Sequence, residues 1–187
     1  MKERLQLTHR PATPADARFV ALVMMEAVGQ DLMERGEMPG DDLTATCLST
    51  ETLYSYLNAT IFEVDGKPVG GLIAYCGKGY HEVKVATFAP IRDRLSFDPM
   101  AMDDETREGE YYLDSAAVLP RYRGRGIGRK IIEHGVATAR SQGLLPVLAC
   151  DPDNTGAYKL YTSIGFSEDG HLHIFGEDYL RMTCPVK

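Results

Sequence analysis

The sequence has no CxxC: its four cysteines, Cys47, Cys76, Cys150 and Cys184, stand far apart. That spacing supports neither zinc ligation nor a disulfide framework, so free thiols in a reducing cytosol are expected. No run reaches the ~20 apolar residues of a membrane span, and Met1-Lys2-Glu3-Arg4-Leu5-Gln6-Leu7 lacks the apolar core of a signal peptide. A cytoplasmic protein with no membrane partner is expected. Basic residues are in the minority, with Lys+Arg 20 against Asp+Glu 27 and a net charge of −7. This balance argues against a nucleic-acid partner, whose binding proteins show a basic footprint. It favours a cationic substrate only weakly, because overall charge says little about a local site. Repeats, low-complexity tracts and linkers are also missing, so 187 residues are expected to form a single domain, 1–187. His171 and His173 share a strand face, but no third ligand accompanies them, and no metal is expected.

Against the acidic balance, four arginines and three glycines crowd into Arg121-Tyr122-Arg123-Gly124-Arg125-Gly126-Ile127-Gly128-Arg129. A strand-like run, 110–119, precedes this stretch. A helix-like run, 127–142, follows it, with an apolar stripe at 127, 131, 132, 136 and 139. Glycines let a backbone approach a ligand closely, and a helix start presents unpaired N–H groups at the positive end of its dipole. Strand, glycine turn and helix together read as a phosphate cradle.

The remaining chain supplies a mixed set of elements. Residues 5–10 alternate as a first strand. Thr13-Pro14-Ala15-Asp16 is a helix-start signal, and the apolar spacing predicts one helix over 17–34, stopped by Gly36 and Pro39-Gly40. A second helix is expected within 41–58, with Tyr54 and Tyr56 read mainly as packing residues. Residues 61–64 and 69–75 read as a hairpin around Asp65-Gly66, with Lys67-Pro68 lengthening its loop. Residues 76–109, which include Asp103-Asp104-Glu105, are read either as a lid or specificity element or as a solvated insertion or interface segment, with some helix over 83–88. A parallel crossover runs from 110–119 through the helix to an apolar strand at 144–150. A short helix over 155–163 and a closing antiparallel pair, 172–175 and 179–184, complete the chain.

Three ligands compete for the cradle. A P-loop needs GxxxxGK followed by Ser or Thr, which is absent. A dinucleotide fingerprint needs a third glycine where Arg129 stands, although Asp151 lies where a ribose-binding acid would be. Acyl-coenzyme A fits better. Its pyrophosphate suits the helix start, its 3′-phosphate suits the arginines, and its pantetheine amides can pair with a strand edge beside the small residues Ser115-Ala116-Ala117.

Val118-Leu119-Pro120-Arg121-Tyr122-Arg123-Gly124-Arg125-Gly126-Ile127-Gly128 resembles motif A of the GNAT N-acetyltransferase family. The pattern Gln/Arg-x-x-Gly-x-Gly/Ala is met by Arg123, Gly126 and Gly128. Asn154-x-x-Ala157-x-x-Leu160-Tyr161-x-x-x-Gly165-Phe166 resembles the motif B region, in the family's order and spacing. The resemblance is sharp over 110–166 and silent over 76–109.

It implies an α/β (α+β) fold: a mixed, mostly antiparallel central sheet, helices on both faces and a splayed parallel strand pair. It implies acetyl-CoA as co-substrate and an amine-bearing small molecule or peptide as acceptor, with a homodimer as the self-association considered. Cofactor contacts would come from Ala116, Ala117, Val118, Arg123, Gly124, Arg125, Gly126, Ile127, Gly128, Arg129, Asn154 and Ala157, and Asn154 is read equally as a helix cap. Tyr161 matches the family's tyrosine, the proton donor to the leaving thiolate. The base is not decided by resemblance. Asp114 is favoured on strand parity, with Glu110 second and Tyr112 able to order a water. The alternative of another class is a non-catalytic acyl-CoA sensor on the same fold.

Overall fold

The computed structural model describes residues 6–95 and 97–185, so Leu5, where the first strand was expected to begin, lies outside the described residues. Seven strands form one sheet in the order β1-β2-β3-β4-β5-β7-β6: β1 Leu7–Pro11, β2 Ala59–Val64, β3 Lys67–Cys76, β4 Glu110–Val118, β5 Leu145–Cys150, β6 Ser167–Ile174 and β7 Glu177–Thr183. Six α-helices accompany them among the described residues: α1 Ala17–Ala27, α2 Leu32–Arg35, α3 Asp41–Leu48, α4 Tyr80–Phe88, α5 Ile127–Ser141 and α6 Thr155–Ile164. The chain divides into two compact units. One holds residues up to 50, 54–73 and 115–132, and the other holds 51–53, 74–114 and 133 onward.

In the first unit, β1 pairs antiparallel with β2, and β2 with β3. The β2–β3 turn is only two residues long, because Val64 pairs directly with Lys67. Asp65 and Gly66 take φ of 52° and 70°, as the favoured two-residue hairpin requires. Lys67-Pro68 therefore belongs to the strand rather than to a longer loop. The irregularity that proline demands is taken up by a register shift between Phe62 and Glu63.

The start of α1 follows its sequence signal. Asp16 accepts hydrogen bonds from the Thr13 N–H and hydroxyl, each 2.8 Å, and from the Arg10 guanidinium at 2.7 and 3.0 Å. These bonds, chiefly Arg10, hold its carboxyl down at about 2. The expected single helix over 17–34 is in fact two. Gly29, at φ 72°, and Asp31, at φ 48°, turn the chain between α1 and α2. Glu26 then caps α2 by accepting the Met33 N–H at 2.6 Å. The apolar period ran through the break because Leu32 and Met33 restore the stripe in the next helix. On the sheet, Gly70 and Gly71 permit close approach. A Cβ on Gly70 would lie 2.7 Å from the Ala117 carbonyl oxygen, and one on Gly71 would lie 2.9 Å from Val23 Cγ2.

In the second unit, β4 pairs parallel with β5 at Glu110↔Leu145, Tyr111↔Pro146 and Tyr112↔Val147. β4 runs on to Val118 and β5 to Cys150 beyond that three-pair ladder. β7 joins β5 and β6 by antiparallel ladders, and the closing pair begins earlier than expected, at Ser167. Among the described residues of 76–109, several are packed in while others between them stay exposed. The helix of this segment starts at Tyr80, Met102 packs with Leu172 and Ile174, and Asp103 bonds the His173 backbone in both directions at 2.7 and 3.0 Å.

Candidate functional site

The glycine turn opens α5 as its composition implied. Gly124 and Gly126 take φ of 71° and 80°, the left-handed region that glycine enters without strain. No atom lies within 4 Å of where a Cβ would sit on either glycine, so the backbone faces open space. The Lys130 N–H bonds to the Gly126 carbonyl at 3.3 Å as the helix begins. The N–H groups of Ile127 and Gly128, at the first helical positions, have no acceptor within α5 itself. Ile127 itself is buried, so only its backbone can meet a ligand.

The arginines of this turn are not equivalent. Arg121 and Arg125 are exposed, their guanidinium carbons 5.1 and 5.7 Å from the Tyr122 ring centroid. Arg123 is turned the other way. Its Nε donates to the Val118 carbonyl at 3.0 Å, and its terminal nitrogens pair with Glu34 and, at 3.3 Å, with Glu26. The side chain that carries the motif thus ties the turn to the α1–α2 corner of the same unit.

Ala116, Ala117 and Val118 occupy the last, partly exposed positions of β4. The Asp114 carboxylate, part-exposed earlier on the same strand, accepts a short hydrogen bond from the Tyr75 hydroxyl. Glu110 is buried at the strand start and is ion-paired with Arg181 at 2.5 Å and Arg107 at 2.9 Å. The Thr106 hydroxyl and the Arg107 N–H also donate to it, each at 3.2 Å.

Asn154 caps α6, its Oδ1 accepting the Ala157 N–H at 3.0 Å. That bond leaves its amide nitrogen and the second lone pair of Oδ1 to other partners, and it commits the Ala157 N–H within the cap. Gly165, at φ 120°, ends α6, and its N–H bonds to the Tyr161 and Thr162 carbonyls. Tyr161 therefore sits in the last turns of the helix, half-buried, with its ring 6.1 Å from Phe166. Desolvation, with a smaller contribution from Cys150, pushes its phenol up to about 12.

Sequence reasoning missed a second group of side chains. Glu105, at the end of the acidic run, is 3% exposed and accepts from Tyr80 at 2.7 Å and Tyr112 at 2.5 Å. Lys84, 2% exposed, donates to the Met102 carbonyl at 2.9 Å and pairs with Asp104 at 2.5 Å. No local pattern marks these partners, which come together only in the fold. The four cysteines are free, with Cys76 exposed. His173 Nδ1 meets Asp178 at 2.8 Å, and no metal-ligand group of three exists among the described residues. Tyr54 is buried, as a packing residue should be.

The Acetyltransferase (GNAT) family profile matches residues 24–166. The chain belongs to this family. Its mixed sheet with a single parallel pair is the GNAT fold, as similarity to a solved N-acetyltransferase from Staphylococcus aureus Mu50 also shows. The two share 25% identity and a TM-score of 0.75, over 94% of this chain and 99% of that one. Among curated GNAT-like relatives, the mycothiol acetyltransferase of Thermobispora bispora is 45% identical over 60 residues, 32% of this chain and 20% of that protein. The N-alpha-acetyltransferase RimI of Mycobacterium tuberculosis is 35% identical over 77 residues, 39% of this chain and 48% of that protein. The chain thus spans about a fifth and about half of the curated relatives it matches. No helix among the described residues is long and apolar enough to cross a membrane.

Proposed function

We propose that this GNAT chain transfers an acetyl group from acetyl-CoA to a primary amine by direct attack in a ternary complex. The observation that carries this reading is the turn at Gly124 and Gly126, open above the α5 N-terminus and flanked by exposed Arg121 and Arg125. Such a turn suits a pyrophosphate, whose charge meets fixed N–H donors and mobile guanidinium groups. The backbone of Ala116 and Ala117 takes the pantetheine amides, and the Val118 N–H is the donor for the thioester oxygen, where negative charge develops. Acetyl-CoA supplies the activated acyl group; the protein supplies orientation and proton transfers.

Asp114 is the base in this scheme. It is part-exposed and fixed by the Tyr75 hydroxyl, whereas Glu110 is committed to Arg181 and Arg107. Tyr161 is the proton donor to the leaving thiolate. Its raised phenol stays neutral at physiological pH, and its hydroxyl makes no hydrogen bond with another described residue. The acceptor is an amine-bearing small molecule or peptide, selected by residues 30–60, 76–109 and the β6–β7 hairpin. Four free thiols fit a cytoplasmic setting.

The test is thermal protection followed by a thiol-release screen across small amines, peptide N-termini and lysine peptides. Acetyl-CoA should raise the melting temperature and at least one amine class should release coenzyme A. Protection by NADH without protection by acetyl-CoA would overturn the assignment. Binding without thiol release for any amine would favour a sensor.

A further inference from the structure

Five polar side chains of the second unit form a cluster that the scheme above uses only at its edge. Asp114 accepts the Tyr75 hydroxyl. The Tyr75 ring lies 6.0 Å from that of Tyr112 and is stacked 6.2 Å from that of Tyr80. Both of those phenols donate to Glu105. Tyr112 stands two residues before Asp114 on β4, on the same strand face. Tyr75, Tyr80, Tyr112 and Glu105 are all buried. Two carboxyls thus share one largely dry pocket of aromatic rings, with Lys84 of α4 near Glu105 but bonded to the Met102 carbonyl and Asp104. Burial first, and then the charges of Glu177, Asp151 and Glu105, raise the Tyr179 phenol of β7.

Two like charges in such a pocket repel each other and lose hydration, so the pair retains one proton where isolated carboxylates would have none. The proton goes to the partner whose ionisation costs more. Glu105 is the deeper of the two, and Asp114 keeps contact with solvent. Burial first, and the Asp114 charge second, push Glu105 up to about 7 against the opposing phenol hydrogen bonds and the Lys84 charge.

We infer that Glu105 is a positioning residue: it holds the one proton that the Glu105–Asp114 pair shares, leaving the Asp114 carboxylate, bonded by the Tyr75 hydroxyl, to accept the proton of the incoming amine. This inference rests on the acetyl-transfer reading for the role of Asp114. In the transfer, an N–H bond breaks, its electron pair stays on nitrogen and an O–H bond forms on Asp114. Glu105 touches neither substrate nor cofactor.

The experiment is a carboxyl-13C NMR pH titration of the full chain, with Asp114 and Glu105 assigned by Asp114→Asn and Glu105→Gln. In the wild type, the Asp114 signal should show its own inflection and a second one that coincides with the Glu105 midpoint, about 7. In Glu105→Gln the second inflection should vanish. An Asp114 signal without that inflection, or one that keeps it in Glu105→Gln, overturns the inference. Should Glu105→Gln not fold, Tyr80→Phe serves. Loss of one phenol donor should raise the Glu105 midpoint by roughly 0.5–1 pH unit, and the Asp114 inflection should move with it. An unmoved inflection overturns the inference just as firmly. Thiol release by the wild type is measured on the same sample. Its failure would remove the acetyl-transfer reading while the titration still decides the carboxyl coupling.

Discussion

Replacing Tyr161 by Phe removes one hydroxyl and leaves the ring against Phe166 in place. Its phenol, pushed up to about 12, is ionised in roughly one molecule in 10⁴ at pH ~8. It is therefore almost wholly a donor at any usable pH. It is also a weak acid. An ordinary alkyl thiol titrates near ~8.5, so moving the proton fully from Tyr161 to a free thiolate is uphill by roughly 3.5 units. The gain must come from a hydrogen bond that strengthens as negative charge builds on sulfur, and bonds to charged groups contribute about 1.5–3 kcal/mol. Tyr161→Phe should accordingly lower kcat by about 10- to 100-fold, at ~1.4 kcal/mol per decade. The affinity for acetyl-CoA should stay within about twofold, since the lost interaction forms with the leaving group. No fall in rate from Tyr161 ionisation should appear below pH ~11. The assay is thiol release under single-turnover conditions, beside acetyl-CoA binding by calorimetry. An unchanged kcat, or a loss matched by an equal loss of cofactor affinity, would refute the reasoning.

Three further outcomes are expected. Asp16→Asn should cost about 1–2 kcal/mol at neutral pH, discounted for the part-exposed Arg10 partner. Because folding lowers the Asp16 carboxyl from 3.8 to about 2, that difference is fully present above 3.8 and should disappear as pH falls through about 2 in urea unfolding curves. Gly70→Ala forces a methyl to within 2.7 Å of the Ala117 carbonyl, so it should destabilise by about 1–3 kcal/mol and weaken acetyl-CoA binding by displacing β4. Normal binding in a folded Gly70→Ala protein would detach that part of β4 from the cofactor. Arg125→Ala should weaken acetyl-CoA binding by about fivefold in low salt, and Arg123→Ala by less. The Arg123 guanidinium is already paired with Glu26 and Glu34, so its loss should instead loosen the α1–α2 corner in hydrogen exchange.

The parts of this fold written in short-range chemistry were legible. Alternate glycines before an amphipathic run forced the turn into α5. Thr13 with Asp16 marked the entry to α1, and Asn154 with Gly165 bracketed α6. The misread parts depend on residues far apart in sequence. Apolar spacing continued across Gly29 and Asp31, so two helices looked like one. The pairing of the Arg123 side chain with Glu26 and Glu34 left no local signal, because those partners are 97 and 89 residues away. Nothing in Asp103-Asp104-Glu105 signalled burial, yet Tyr80 and Tyr112 enclose Glu105 from other elements. A buried carboxyl leaves no period or motif, because its environment is made by tertiary packing rather than by its neighbours in the chain.

The central claim is that the turn at Gly124 and Gly126 holds acetyl-CoA for transfer to an amine. The most direct measurement follows coenzyme A thiol and acceptor mass together during a single turnover. One acetyl group should appear on the acceptor nitrogen for each thiol released, at a rate that falls in Tyr161→Phe and in Asp114→Asn. Thiol release with no acetylated amine, or none at all from a protein saturated with acetyl-CoA across the amine classes, would contradict the claim.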